Sequence, residues 1–160
     1  MDIKKPRGAG KKEEISLDSA AKHLLEECRM VLPGIQALFG FQLIAVFNDS
    51  FAEKLSPLEQ RLHLAAIVLI VVAIALVMAP AAVHRATSQR EVSERFVWLA
   101  SKLLLGSMLP LALGLCIDVY LVASVVLGSG ATGAAIAGVL FLALLGLWVA
   151  LPRRERRLHR

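Results

Sequence analysis

Charge is what four long stretches of this chain lack. No Asp, Glu, Lys or Arg occurs between Met30 and Phe47, between Leu62 and Val83, or between Ala134 and Leu151. A further stretch, Phe96 to Val126, has only Lys102 and Asp118. The first three are near the length, about 20 apolar residues, that a helix needs to cross a bilayer core, and the last exceeds it. Period-two alternation is also missing, which excludes a closed transmembrane β-barrel. Cysteine is scarce: Cys28 and Cys116 are the two in the chain, and they lack the spacing of a zinc site. No histidine–carboxylate metal motif, glycine-rich phosphate loop or nucleophile elbow is present. The chain therefore reads as no enzyme, with no cofactor and no metal. The opening "MDIKKPRGAGKKEE" is polar for too long to be the n-region of a signal peptide, so the first apolar run reads as a retained anchor.

What is present is apolar bulk and basic residues in particular places. The 160 residues are 57% hydrophobic, above the roughly 45–50% of a soluble domain. The expected fold is an all-α integral membrane protein, a bundle of four transmembrane helices over about 30–47, 62–83, 96–126 and 134–151. The formal charge is +5. Its basic residues flank the apolar runs, which argues for membrane orientation and against nucleic acid as a partner. Seven precede the first run: Lys4, Lys5, Arg7, Lys11, Lys12, Lys22 and Arg29. The first connection has Lys54 and Arg61, the middle one Arg85, Arg90 and Arg95, and the third, "GSGATG", has none. The C-terminus adds Arg153, Arg154, Arg156, Arg157 and Arg160. Both termini and the middle connection are thus expected on the cytoplasmic side, in a multi-pass inner-membrane protein. The tail arginines are expected to meet anionic lipid headgroups.

The parts outside the spans divide further. Residues 1–14 read as a disordered basic tail, and 152–160 as a basic cytoplasmic tail. Leu17, Ala21, Leu24, Cys28 and Val31 recur at helical spacing, so 15–29 reads as an amphipathic interfacial helix or a plain extension of the first span.

Polar groups on the apolar helices are the candidate site. Glu26, Arg29, Pro33, Gln36, Gly40, Leu43 and Phe47 fall on one stripe at about 100° per residue. That stripe is expected to be covered, with Glu26 pairing Arg29 and Gln36 bonding across helices, or to line an ion path entered at Glu26 or Glu27. Asp118 is the strongest single candidate, since a carboxylate at mid-bilayer costs about 2.5–3.5 kcal/mol. It lies near the end of an overlong segment, so the headgroup region is the alternative. Ser107, Gly114 and Asp118 share one stripe. Pro80 and Pro110 are expected to bend their helices. His84 with Arg85 reads as an interfacial pair at the cytoplasmic mouth, His63 as a solvated residue at the opposite end, and Lys102 as snorkelling. Gly138, among Ala134, Ala135 and Ala137, predicts a close helix crossing.

Three stretches taken together, "LLEECR", "GIQALFGFQL" and "APAAVHR", resemble a bacterial family of small four-helix membrane proteins, catalogued as domain of unknown function 6328. Glu27, Arg29, Gly34, Gln36, Gly40 and Phe41 fit its first-helix pattern, and Ala79, Pro80, His84 and Arg85 the end of its second. Asp118 fits a third-helix aspartate. The resemblance covers Leu24 to Val126 and implies a multi-pass helical protein, with Glu27 rather than Glu26 at the family position. Chains of this kind are sometimes labelled cation/proton antiporters. Two functions follow as expectations. The first is a non-enzymatic accessory or scaffolding subunit that self-associates or joins a membrane partner. The alternative is a small oligomeric cation/proton-coupled transporter using Glu27 and Asp118.

Overall fold

The computed structural model describes residues 17–86 and 94–150, with no side-chain description at 18, 149 and 150. The N-terminal tail to residue 14 and the C-terminal arginines Arg153, Arg154, Arg156 and Arg157 lie outside the described residues. Within them the chain is helical: α1 (Leu17–Val46), α2 (Ser50–Lys54), α3 (Pro57–Ala86), α4 (Glu94–Leu127) and α5 (Gly130–Leu145), followed by a turn of π-helix, Gly146–Ala150. Four of these helices, α1, α3, α4 and α5 with its π extension, are long and apolar enough to cross a membrane. α1 is unbroken, so the segment before Met30 and the apolar run after it are one rod. Pro33, Pro80 and Pro110 are carried inside α1, α3 and α4.

Sequence chemistry sets the helix starts. Ser56 precedes Pro57, which supplies the fixed φ favoured at a first helical position. The Ser56 amide and hydroxyl both donate to Glu59 Oε2, at 2.8 and 2.7 Å, and the Glu59 amide returns to Ser56 Oγ at 3.4 Å. This reciprocal capping box pins the entry to α3. Gln60 Nε2 adds a bond to Leu55 O at 2.9 Å and ties the α2–α3 corner. At α5, Ser129 accepts from the Thr132 amide, and Gly128 (φ 64°) takes the left-handed conformation that glycine tolerates and turns the chain from α4.

α4 is the hub, packed along α3, α5 and, more lightly, α1. The α3 seam is His63, Ala66, Ile70, Ala73, Val77 and Pro80, all buried at alternating three- and four-residue steps. Against it Gly114 lets α4 approach: a Cβ there would lie 2.8 Å from Ile70 Cδ1 and 3.3 Å from the Ala66 carbonyl. The apolar core gathers Cys28 and Ile35 of α1, Ile70 and Val77 of α3, and Leu104 of α4, with Leu24, Leu38, Phe39 and Leu111 packed around them. α5 contributes no residue to this cluster and packs chiefly on α4, so it flanks a three-helix core rather than closing a ring. Its close crossing is at Gly133, where a Cβ would collide with Ser124 Oγ and lie 2.9 Å from the Tyr120 carbonyl. That corrects the expectation at Gly138, which is exposed with open space beside it. The glycine facing a partner helix is the one on the α4 side at the start of α5.

The outer surface is apolar. Val68, Val72, Leu105, Leu109, Val139 and Leu142 are among many large exposed hydrophobic side chains. A water-facing monomer rarely shows such a surface, and a lipid-facing one requires it.

Candidate functional site: a Gln42–His63–Asp118 cluster

α1 runs towards the end of the bundle where α3 starts and α4 finishes, and three polar side chains from these helices meet there. Gln42 is 4% exposed and His63 7% exposed. Gln42 Nε2 donates to Asp118 Oδ2 at 2.6 Å. His63 Nε2 lies 3.0 Å from the Gln42 main-chain carbonyl, and its Nδ1 lies 3.5 Å from Asp118 Oδ1. Phe51 of α2 sets its ring edge to face on the imidazole, centroids 5.3 Å apart and planes at 60°. The capped α2–α3 corner therefore holds His63 from outside while α1 and α4 hold it from within.

The geometry limits where protons can be. A carbonyl oxygen only accepts, so His63 Nε2 carries a hydrogen and donates to Gln42 O; the tautomer follows from this partner. The remaining nitrogen, Nδ1, then faces a carboxylate oxygen. In a neutral imidazole beside a bare carboxylate this would set lone pair against lone pair. A proton on either Nδ1 or Oδ1 removes the conflict and makes the His63–Asp118 pair net neutral. Deprotonation leaves one uncompensated negative charge in an apolar surround, which is costly.

Two acceptor atoms in the cluster, Gln42 Oε1 and Asp118 Oδ1, are buried without a hydrogen-bond partner among the described residues. The two oxygens are themselves covered, but Gln42, His63 and Asp118 line a cavity of about 490 Å³, walled also by Phe41, Phe51, Leu55, Leu121 and Val125, with Lys54 as the other charged side chain on its lining. Asp118 also borders a second recess of about 440 Å³, lined by apolar residues including Leu115, Val119 and Val122.

The other candidate residues are elsewhere. Glu26, Glu27 and Arg29 are exposed on α1, and Glu26 approaches His23 at 3.8 Å. No ion pair joins Glu26 to Arg29 among the described residues. Gln36 is exposed and Gly40 is half-buried with open space beside it, so the expected covered stripe is corrected. The covered stripe is Ala21, Cys28, Ile35 and Gln42, spaced seven apart, and Gln42 makes the interhelical bond that Gln36 was expected to make. Both stripes fit one helical period, and position relative to α3 and α4 chooses between them. Glu27 stands fifteen residues before Gln42, about 22 Å along the helix, so it does not join Asp118. His63 is the second correction, buried rather than solvated. Its signal is its place on the three-and-four seam of Ala66, Ile70 and Ala73. Pro80 is buried on that seam, His84 is half-buried with its ring 5.5 Å from Phe96, and Arg85 is exposed. Lys102 lies 3.8 Å over the Trp98 ring, both side chains exposed.

Four helices long and apolar enough to cross a membrane, with buried His63 paired to half-buried Asp118 between them, are the make-up expected of a small multi-pass membrane protein. More narrowly, the chain belongs to the family described as "Family of unknown function (DUF6328)", which matches residues 11–152. The match extends beyond Leu24 to Val126 into both flanking segments. No curated protein and no solved structure matches the chain.

Proposed function

We propose that this protein is a proton-coupled cation carrier of the bacterial cell membrane, with both termini cytoplasmic and Asp118–His63 as the coupling pair. The carrying observation is the 3.5 Å approach of His63 Nδ1 to Asp118 Oδ1 beside a cavity, with Nε2 committed to the Gln42 carbonyl. One proton neutralises the pair, and a cation arriving in the cavity is the other way to neutralise it. The basic residues that flank the helices support the orientation. Four helices leave little room for a pathway in one chain, so the working unit is an assembly of copies. No covalent chemistry is involved, and Glu27 takes no part.

Proton flux in liposomes containing the purified chain tests this. Asp118→Asn and His63→Gln are each expected to cut flux by about tenfold or more, while Glu27→Gln stays within about twofold of the parent. Folded parent protein without flux above empty liposomes overturns the reading.

A second reading, an accessory subunit that self-associates, is favoured by Gln36. Its amide is exposed near the middle of α1, where lipid offers no partner, and a neighbouring copy would. Disulfide cross-linking through Gly40→Cys in membranes tests it: a covalent dimer is expected, and monomer alone counts against it.

A further inference from the structure

The cluster has two donor groups, Gln42 Nε2 and His63 Nε2, both committed within it, and two acceptor oxygens without a hydrogen-bond partner. Gln42 has given its Nε2 to Asp118 Oδ2, so its Oε1 faces no donor. Asp118 Oδ1 has only the distant imidazole nitrogen. Buried acceptors of this kind normally have partners, and both belong to side chains that line the cavity, so a small turn of each side chain would present its oxygen to an occupant. The occupant must donate at least two hydrogen bonds. It must also be positively charged, because it meets a carboxylate in an apolar surround. Its body must be apolar, since Phe41, Phe51, Leu55, Leu121 and Val125 form the walls. A volume of about 490 Å³ falls within the range of small-molecule sites. A metal ion fits poorly, because two oxygens supply too few ligands for a hard cation, and no group of three or more His, Cys, Asp or Glu occurs among the described residues.

We propose that the Gln42–Asp118 cavity binds a protonated primary amine carrying an apolar body, its ammonium donating to Gln42 Oε1 and Asp118 Oδ1 as the two covered oxygens turn towards it. This rests on the proton-coupled reading of the same pair. The exchange balances: the protonated His63–Asp118 pair gives up one proton to water as one ammonium ion enters, and the site is net neutral before and after. The groups facing the carboxylate are Gln42 from α1, Lys54 from α2 at the lining of the cavity, and His63 from α3. The described part of α5 has no titratable side chain. Because proton and amine compete, acid must weaken amine binding. Lys54, on the same lining, repels any cation, so the apolar body must provide part of the attraction.

Phenylethylammonium is the probe, with phenylethanol and phenylethyltrimethylammonium as the uncharged and donor-free controls. Calorimetric titration of the full chain in nanodiscs, in buffers of differing ionisation heat, reads affinity and proton release together. Expected are binding of the ammonium at least about tenfold tighter than either control, and release of up to one proton. Affinity should rise with pH, by at most about tenfold per pH unit, for as long as the free pair holds its proton. Asp118→Asn should abolish binding. Val125→Trp, which fills the cavity from its exposed side and leaves the pair intact, should also abolish it. Equal binding of all three compounds, binding unchanged in both variants, or binding without proton release overturns the proposal. Proton flux that depends on Asp118, in a parent that takes no amine, removes this ligand and keeps the carrier. Amine binding with proton release but no flux keeps the ligand and removes the carrier.

Discussion

The two halves of the helix bundle solve opposite problems. At the end where α1 and α4 finish, the interior is polar: Gln42, His63 and Asp118 bond to one another, and Ser124 meets Gly133 close by. Towards the other end the interior is apolar, built from Cys28, Ile35, Val77 and Leu104, and the polar groups Glu26, Glu27, Arg29 and Gln36 are on the outside. Two glutamines on one helix therefore have different tasks. Gln42 gives its amide nitrogen to Asp118 of its own chain, while Gln36 is left for something beyond it. The lesson is that a polar residue in an apolar helix locates a site only once its neighbours are known.

Like residues in the two settings should respond differently, and unfolding of the purified chain followed by circular dichroism measures this. The largest effect is expected from Gly133→Leu, which would force a side chain onto the Tyr120 carbonyl and Ser124; a loss of about 3 kcal/mol is expected, while Gly138→Leu leaves stability nearly unchanged. Gln42→Leu follows, at about 2 kcal/mol, because it leaves the Asp118 carboxylate with a vacated acceptor. Combining Gln42→Leu with Asp118→Leu should recover part of that loss, since an apolar pair leaves no orphaned partner. Ser56→Ala removes the α3 cap and should cost about 1 kcal/mol, with the Phe51–His63 contact loosened as a consequence. The smallest change belongs to Gln36→Leu, under about 0.5 kcal/mol for the isolated chain. A Gln36→Leu loss as large as that of Gln42→Leu would erase the distinction between the halves.

Much of the architecture is legible in the sequence because length and the absence of charge are properties of the segments themselves. The same holds for Asp118, whose charge is conspicuous in any register, and for the family. His63 and Gln42 were harder to read. Helical periodicity places Gln36 and Gln42 on two different stripes and does not say which one meets α3 and α4. Burial of His63 depends on the corner that α2 builds, and α2 is five residues in a polar connection. The "SPLE" capping pattern was a usable signal for where α3 starts, and with it His63 falls on the buried seam. Gly133 and Gly138 present the same difficulty as the glutamines: both are small residues in α5, and only the side facing α4 distinguishes them.

The separation of Gln42 from Asp118 along the chain, 76 residues, also bears on how the protein is made. At translation rates of about 5–20 residues per second, α1 waits roughly 4–15 s after emerging before the carboxylate that will hold its amide exists. His63, 21 residues on, arrives far sooner and takes only the Gln42 main-chain carbonyl. α1 and α3 can therefore meet early as a provisional hairpin, with a glutamine side chain that lacks its final acceptor. The arrival of α4 completes the bond, so assembly of the Gln42–His63–Asp118 cluster and closure of the bundle are one event.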